Sequence, residues 1–242
     1  MTGYATFRDI GAYYTAEGSL AMLPKLWAGD GTVVGVLVMH GATQTEMQMI
    51  DSTNYESLRA ILAAVVVSGH PVLGIYAGGD TWGNATAQAR MTDGVTYLQG
   101  TLGAKAGKVI LIGGSMGGLA CQNWAKANPT LVQCMVGMVP VSDVSDIVTY
   151  NRGGLAASVN TAYSTWNEGT MGATYNPHTY AATGLTGIPY KAWYALSDSI
   201  VMPSTVTDVC TAAGATAVSV AGGHTVDNIP PADVVSFIKA NL

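Results

Sequence analysis

Charge is scarce in this sequence. Lys plus Arg number 10 and Asp plus Glu 15 among 242 residues, a tenth of the chain where about a quarter is usual. The surface must then be covered by Thr, Ser, Asn, Gln, Gly and Ala. Such a surface suits a secreted protein, a packed homo-oligomer or a particle component. Net charge is −5 with no basic cluster, so nucleic acid is not an expected partner. Long apolar runs are missing too. Those around 32–39 and 60–67 fall well short of the roughly 18 residues that cross a bilayer, so no transmembrane segment is expected. The opening residues, Met1-Thr-Gly-Tyr-Ala-Thr-Phe-Arg8, lack a basic stretch followed by an apolar core. No secretory signal is read there. A cytoplasmic location is the default expectation, with a part in a larger exported or viral particle as the other option. Cysteine is sparse and odd in number: Cys121, Cys134 and Cys210 show no CxxC or Cys/His metal spacing. They read as buried free thiols, and no metal is expected.

What is present is apolar bulk, 49% of the residues, enough for a sizeable core. Short apolar runs at 32–39, 72–76, 108–112, 131–141, 190–196 and 216–220 read as strands. Between them lie helical patterns. One runs from a Thr53/Glu56 capping box through Leu58, Ile61, Leu62 and Val65. Others are capped by Asn84, span 116–127 and 204–213, and open at Pro230-Pro231. Strands alternating with helices predict an α/β fold, with a mostly parallel central sheet and helices on both faces. Continuous apolar strands fit that double burial. Residues 7–14 read as a strand adding an antiparallel edge. Residues 142–189 break the rhythm and read as a small cap or lid insertion. With no repeat and no linker, 1–242 reads as a single domain.

The stretch Gly113-Gly-Ser115-Met-Gly117 is a GxSxG placed between a strand and a helix. A nucleophile lifted out of a strand end needs a sharp, strained turn. Side chains two before and two after the serine would collide across it. Gly118 lets the following helix lie close to the sheet, and the helix N-terminus offers a backbone N–H beside the reacting atom. A plain tight turn and a nucleotide-binding turn also favour glycines. However, GxxxxGK[ST] is absent, and GxGxxG does not fit this stretch.

A serine needs a base. Of the four histidines, His224 in Ala221-Gly-Gly-His-Thr225 follows the last strand, on the edge that presents Ser115. His40 ends a strand but precedes Ser115; His70 sits in a turn and His178 in the insertion. The base needs an acid to fix its tautomer. Asp198, after the fifth strand, gives the chain order Ser, Asp, His. Asp143 is the rival, although it and Asp146 also fit helix caps. An oxyanion hole needs two N–H donors. Met116 is one, and Ala42, with Gly41 close behind, is the other in Met39-His40-Gly41-Ala42-Thr43. His40 is then structural.

On these residues the chain resembles the α/β-hydrolase superfamily, its serine esterase and lipase-like branch. The motifs are His40-Gly41, Gly113-x-Ser115-x-Gly117, Asp198 and His224. Asp80-Thr-Trp-Gly83-Asn-Ala85 is similar to the Asp-x-x-Gly-x-Gly loop of those enzymes, with Ala85 in place of the last glycine. The resemblance implies an eight-stranded, mostly parallel sheet and acyl transfer to water without a cofactor. The expected activity is hydrolysis of a small-molecule or lipid-like carboxylic ester through a Ser115-His224-Asp198 triad and a covalent acyl-enzyme. Met47, Met49, Ile50, Tyr163, Trp166, Met171 and Tyr175 are expected either to line an apolar acyl pocket or to pack in the core. Thioesterase, peptidase and acyltransferase chemistry use the same triad. The charge-poor composition keeps a second class open, an inert binding or particle-assembly module.

Overall fold

The computed structural model describes residues 10–15, 18–50, 53 and 55–242. Two strands come first, β1 (Ile10–Thr15) and β2 (Ser19–Pro24). Alternation follows: β3 (Gly35–Met39), α1 (Glu56–Val67), β4 (Val72–Ile75), α2 (Ala85–Gly100), β5 (Val109–Gly114), α3 (Met116–Ala127) and β6 (Val132–Met138). Four short helices then succeed one another without a strand: α4 (Val144–Thr149), α5 (Ala156–Tyr163), α6 (Glu168–Tyr175) and α7 (Pro177–Gly184). The chain closes with β7 (Tyr190–Ala195), α8 (Pro203–Ala213), β8 (Thr216–Val220) and α9 (Pro231–Ala240).

Among the described residues the strands form one eight-stranded sheet in the order β1-β2-β4-β3-β5-β6-β7-β8. β1 and β2 pair antiparallel, and β2 meets β4 antiparallel. Every pairing from β4 to β8 is parallel. The sheet is buried on both faces because its strands are apolar at consecutive positions. In β5, Val109 and Leu111 point into a core closed by α2, α3 and α8. Ile110 and Ile112, one residue out of phase, point into a second core closed by α1 and α9. A period of two thus splits one oily run between two cores. The parallel strands end on a common edge, where α/β sheets of this kind hold their ligands. No described helix is long and apolar enough to cross a membrane.

Two expectations need correction. β2 was not anticipated: Ser-Leu-Ala-Met-Leu-Pro carries helix-forming Leu, Ala and Met, and it becomes a strand by pairing with β1 and β4. Helix α1 begins at Glu56 behind Tyr55, two residues later than a Thr53 cap would set it, and Tyr55 makes no side-chain cap. The expected strand at 7–14 is seen as β1, but its first residues, 7–9, lie outside the described residues. Asp146, which also fitted a cap, lies inside α4 and pairs with Arg152, whereas the Asn84 cap is present. Asn84 accepts from the Thr86 and Ala87 amides at the start of α2.

The 142–189 segment is tied to the body at several points. Tyr163 donates to the Trp82 carbonyl at 2.6 Å, Asn84 to the Ala162 carbonyl at 2.8 Å, and Tyr180 to Asn123 at 2.5 Å. Its aromatic residues pack on one another, Tyr163 edge-on to Trp166 with ring centroids 4.9 Å apart and 5.2 Å from Tyr175.

Candidate active site

Ser115 is the single residue between β5 and α3, with φ 49° and ψ −121°. A non-glycine residue in that region is strained, at a cost of about 1–3 kcal/mol. The surroundings fix it there: its amide donates to the Met138 carbonyl at 3.0 Å, and its carbonyl accepts from Val141 at 3.0 Å. The glycines are required by close approach. A Cβ on Gly113 would strike the backbone of Gly117 and Gly118. One on Gly117 would strike the backbone of Met39 and His40, and one on Gly118 would strike Pro140. Gly114 has more room, with the Met138 carbonyl 3.5 Å from where its Cβ would sit. Three of the four glycines are thus demanded by packing, and the fourth is not.

The loop after β8 brings His224 to this turn. It is stapled to the turn after β7 by Leu196 N–H to Val220 O at 3.0 Å and Ser197 N–H to Gly222 O at 2.9 Å. His224 Nε2 lies 2.8 Å from Ser115 Oγ. Its Nδ1 lies 2.8 Å from Asp198 Oδ2. A carboxylate only accepts, so Nδ1 carries the proton and Nε2 is left as an acceptor for the serine hydroxyl. Asp198 is 5% exposed. Its second oxygen accepts from the Ile200 and Val201 amides, both at 2.9 Å. A buried charge is tolerated only when partnered in this way.

The other candidates are placed elsewhere. Asp143 caps α4 through the Ser145 and Asp146 amides, and its histidine neighbour is His178, 3.8 Å away. His70 is buried against the Val34 carbonyl. His40 is buried behind the loop that follows β3. Its Nδ1 donates to Gly41 O at 2.8 Å, and its Nε2 accepts from Ala77 N–H at 3.2 Å. Burial holds its pKa below the ordinary 6.5. Because the neutral form is favoured in the fold, stability falls as pH drops below the unfolded value. The melting temperature should therefore decline more steeply between pH 7 and 5 in the native chain than in a His40→Asn variant; equal slopes would discount His40 as the cause.

Gly41 and Ala42 part company as amide donors. The Gly41 N–H is taken by Gln44 Oε1 at 3.0 Å, so Gly41, expected close behind Ala42, is not open to an oxyanion. Thr43, in left-handed conformation at φ 61°, gives its N–H to Asp80 Oδ1 at 2.6 Å. Among the described residues the amides of Ala42 and Met116 carry no hydrogen bond. Asp80 is itself held from the other side. Its Oδ2 accepts from Ser158 Oγ at 3.0 Å, which also accepts from Trp82 Nε1 at 2.8 Å.

Ser115 and His224 open on a cleft of about 240 Å³. Its walls include Gln44, Gln48, Tyr55 and Leu58 on one side and Met138, Val139, Val226 and Asp227 on the other. None of the seven expected pocket residues lines it. Met49 is fully buried, Tyr163 belongs to the core, and Trp166, Met171 and Tyr175 are partly buried and pack against it, the packing alternative. Of the actual walls, Gly41, Ser115 and Val139 sit one or two residues beyond the ends of β3, β5 and β6, and Gln48 sits in the short turn Glu46–Met49; for the first three, position after a parallel strand was the signal available. The thiols lie outside the site. All three are buried and free, and burial pushes Cys134 and Cys210 up to about 12 and Cys121 higher still. None is a thiolate nucleophile at neutral pH.

No family model and no curated protein matches the sequence. Solved structures do match the fold. Esterase B from Lactobacillus rhamnosis is 13% identical with a TM-score of 0.69, over 96% of this chain and 85% of that one. An esterase from Pyrococcus furiosus is 14% identical with a TM-score of 0.65, over 99% and 97%. A prolyl endopeptidase is 16% identical with a TM-score of 0.61, over 96% of this chain, which spans 37% of that protein's length. Eight strands in this order, a strained serine between strand and helix, and these likenesses agree on one architecture: the chain has the α/β-hydrolase fold.

Proposed function

We propose that the protein is a serine hydrolase that cleaves a carboxylic ester through a covalent acyl-enzyme. The observation that carries this reading is the unbroken hydrogen-bond chain from Asp198 through His224 to Ser115, 2.8 Å at each link, with the hydroxyl facing the cleft. Ser115 Oγ attacks the ester carbonyl while His224 Nε2 takes its proton. Asp198 holds the Nδ1–H tautomer and stabilises the imidazolium. The Ala42 and Met116 amides receive the oxyanion. His224 then protonates the leaving alcohol, and water repeats the attack on the acyl-enzyme. No cofactor enters these steps. In this reading the chain is one domain, and residues 142–189 form its cap or lid insertion.

A fluorophosphonate probe tests the reading directly. An active serine hydrolase is labelled at Ser115, as read by mass spectrometry of the labelled peptide. An unlabelled, folded protein would favour the inert binding module instead. The structural neighbours include both esterases and a prolyl endopeptidase, so an ester and the matching anilide run side by side decide between oxygen and nitrogen leaving groups.

Asp80 has a positioning role in this scheme. Its grip on Thr43 N–H and the grip of Gln44 on Gly41 N–H fix the peptide units on either side of Ala42. A displacement of about 1 Å in a reacting group costs on the order of 100-fold in rate. Asp80→Ala should lower kcat about 10- to 100-fold with KM nearly unchanged, while Asp80→Asn, which keeps an acceptor for Thr43, should retain most of the rate. Steady-state kinetics on one p-nitrophenyl ester measure both. A KM effect with unchanged kcat would assign Asp80 to binding.

A further inference from the structure

The cleft wall contains a polar group with nothing to bind. Gln48 is 7% exposed and lines the cleft, yet among the described residues its carboxamide makes no hydrogen bond. Its backbone is accounted for by the bond from its N–H to Thr45 O at 3.2 Å. Gln44, on the same wall, spends its oxygen on Gly41 and leaves its NH2 open. The amide atoms of Gln48 are open to the cleft, so a ligand that displaces water there must offer them hydrogen bonds or leave them unpaired at a cost. Of the remaining neighbours, Met39, Leu58, Met138, Val139 and Val226 are apolar, Thr225 spends its hydroxyl oxygen on the Asp227 amide, and Tyr55 adds a second hydroxyl. Among the described residues no Lys or Arg lines the cleft, so an anionic substituent would find no counter-charge. Asp227 is exposed and keeps its own water.

We infer that Gln48 is a specificity-determining residue, and that the preferred substrate is a short ester whose chain in the cleft carries an uncharged group able both to donate and to accept a hydrogen bond, a hydroxyl above all. The inference rests on the ester-hydrolase reading. A carboxamide presents one acceptor and two donors, so a hydroxyl satisfies it in both senses, whereas a methyl of equal size leaves it unpaired. A site built to hydrogen-bond a substrate group discriminates strongly against the analogue that lacks it. The cleft, about 240 Å³, suits a short substituent.

The test uses isosteric pairs. On the acyl side, p-nitrophenyl 3-hydroxybutyrate is compared with p-nitrophenyl 3-methylbutyrate. On the alcohol side, 2-hydroxyethyl acetate is compared with propyl acetate. The native chain should favour the hydroxyl member of one pair by about 5- to 100-fold in kcat/KM, and the pair that responds tells which half of the ester Gln48 reads. Gln48→Leu should abolish that preference by slowing the hydroxyl ester alone. Gln48→Met, unbranched and of the same length, should do the same if the leucine disturbs folding. The rate of phosphonate labelling at Ser115 checks that each variant keeps its site. A labelled native chain indifferent to the hydroxyl in both pairs overturns the proposal, as does a variant that slows both members equally. A native chain neither labelled nor active on any ester fails at the earlier step and takes this inference down with it.

Discussion

Ser115→Ala is expected to reduce kcat on a short p-nitrophenyl ester by roughly 10⁵- to 10⁶-fold, the scale on which removing the nucleophile of a serine triad acts. The same variant should fold as well as the native chain. The side chain lost makes one hydrogen bond, to His224. Alanine keeps the backbone at φ 49° with no new clash, because the space around the turn is set by Gly113, Gly117 and Gly118. A stability change under about 1 kcal/mol moves the melting temperature of a chain this size by about 2–4 °C at most. Kinetics and a thermal melt on the same preparation therefore separate chemistry from folding. Native rates in a well-folded Ser115→Ala protein would remove the serine from the reaction altogether.

His224→Ala should cost nearly as much, because the members of a triad act as a unit and their effects do not add. It should also change the shape of the pH–rate profile. Protonated imidazole cannot accept the serine proton, so the native rate falls on the acid side. Without the ring that limb has no titrating group behind it, and the residual rate should follow hydroxide alone. Added imidazole should restore part of the activity, since the space vacated lies between Ser115 and the buried, doubly hydrogen-bonded carboxylate of Asp198. An acid limb that survives in the variant would place the base elsewhere. His40 and His178 are the wrong places to look: the first is locked between Gly41 and Ala77, and the second sits beside Asp143.

Much of the scaffold was legible because its signals are local. Short apolar runs bounded by turn residues fit strands buried on both faces, and β5 divides Val109, Ile110, Leu111 and Ile112 between two cores. The glycines around Ser115 were legible because the turn leaves no space for a side chain. Asp198 and His224 follow strands that end on one edge, so chain order sufficed to pair them. What stayed hidden depends on partners distant in sequence. β2 is a strand only because β1 and β4 flank it. Sequence left Tyr163 and Trp166 between pocket wall and core packing, and their hydrogen-bond partners, Trp82 and Ser145, decide for packing. Gln44 and Gln48 lie in a short turn with no periodicity to mark either as facing a cleft.

The sheet's last strand carries a consequence for how such a protein would fail. Among the described residues β8 is bonded along one side only, to β7, and is half exposed along its length. Ser115 instead sits at the end of β5, clamped between β3 and β6. Edge elements open locally at free energies well below that of global unfolding. Fraying from Thr216 onward would carry the imidazole away while the hydroxyl stayed in place. Warming would then silence the protein while most of its amide protons were still protected from exchange, and shelf life would be governed by the outermost ribbon, not by the two cores.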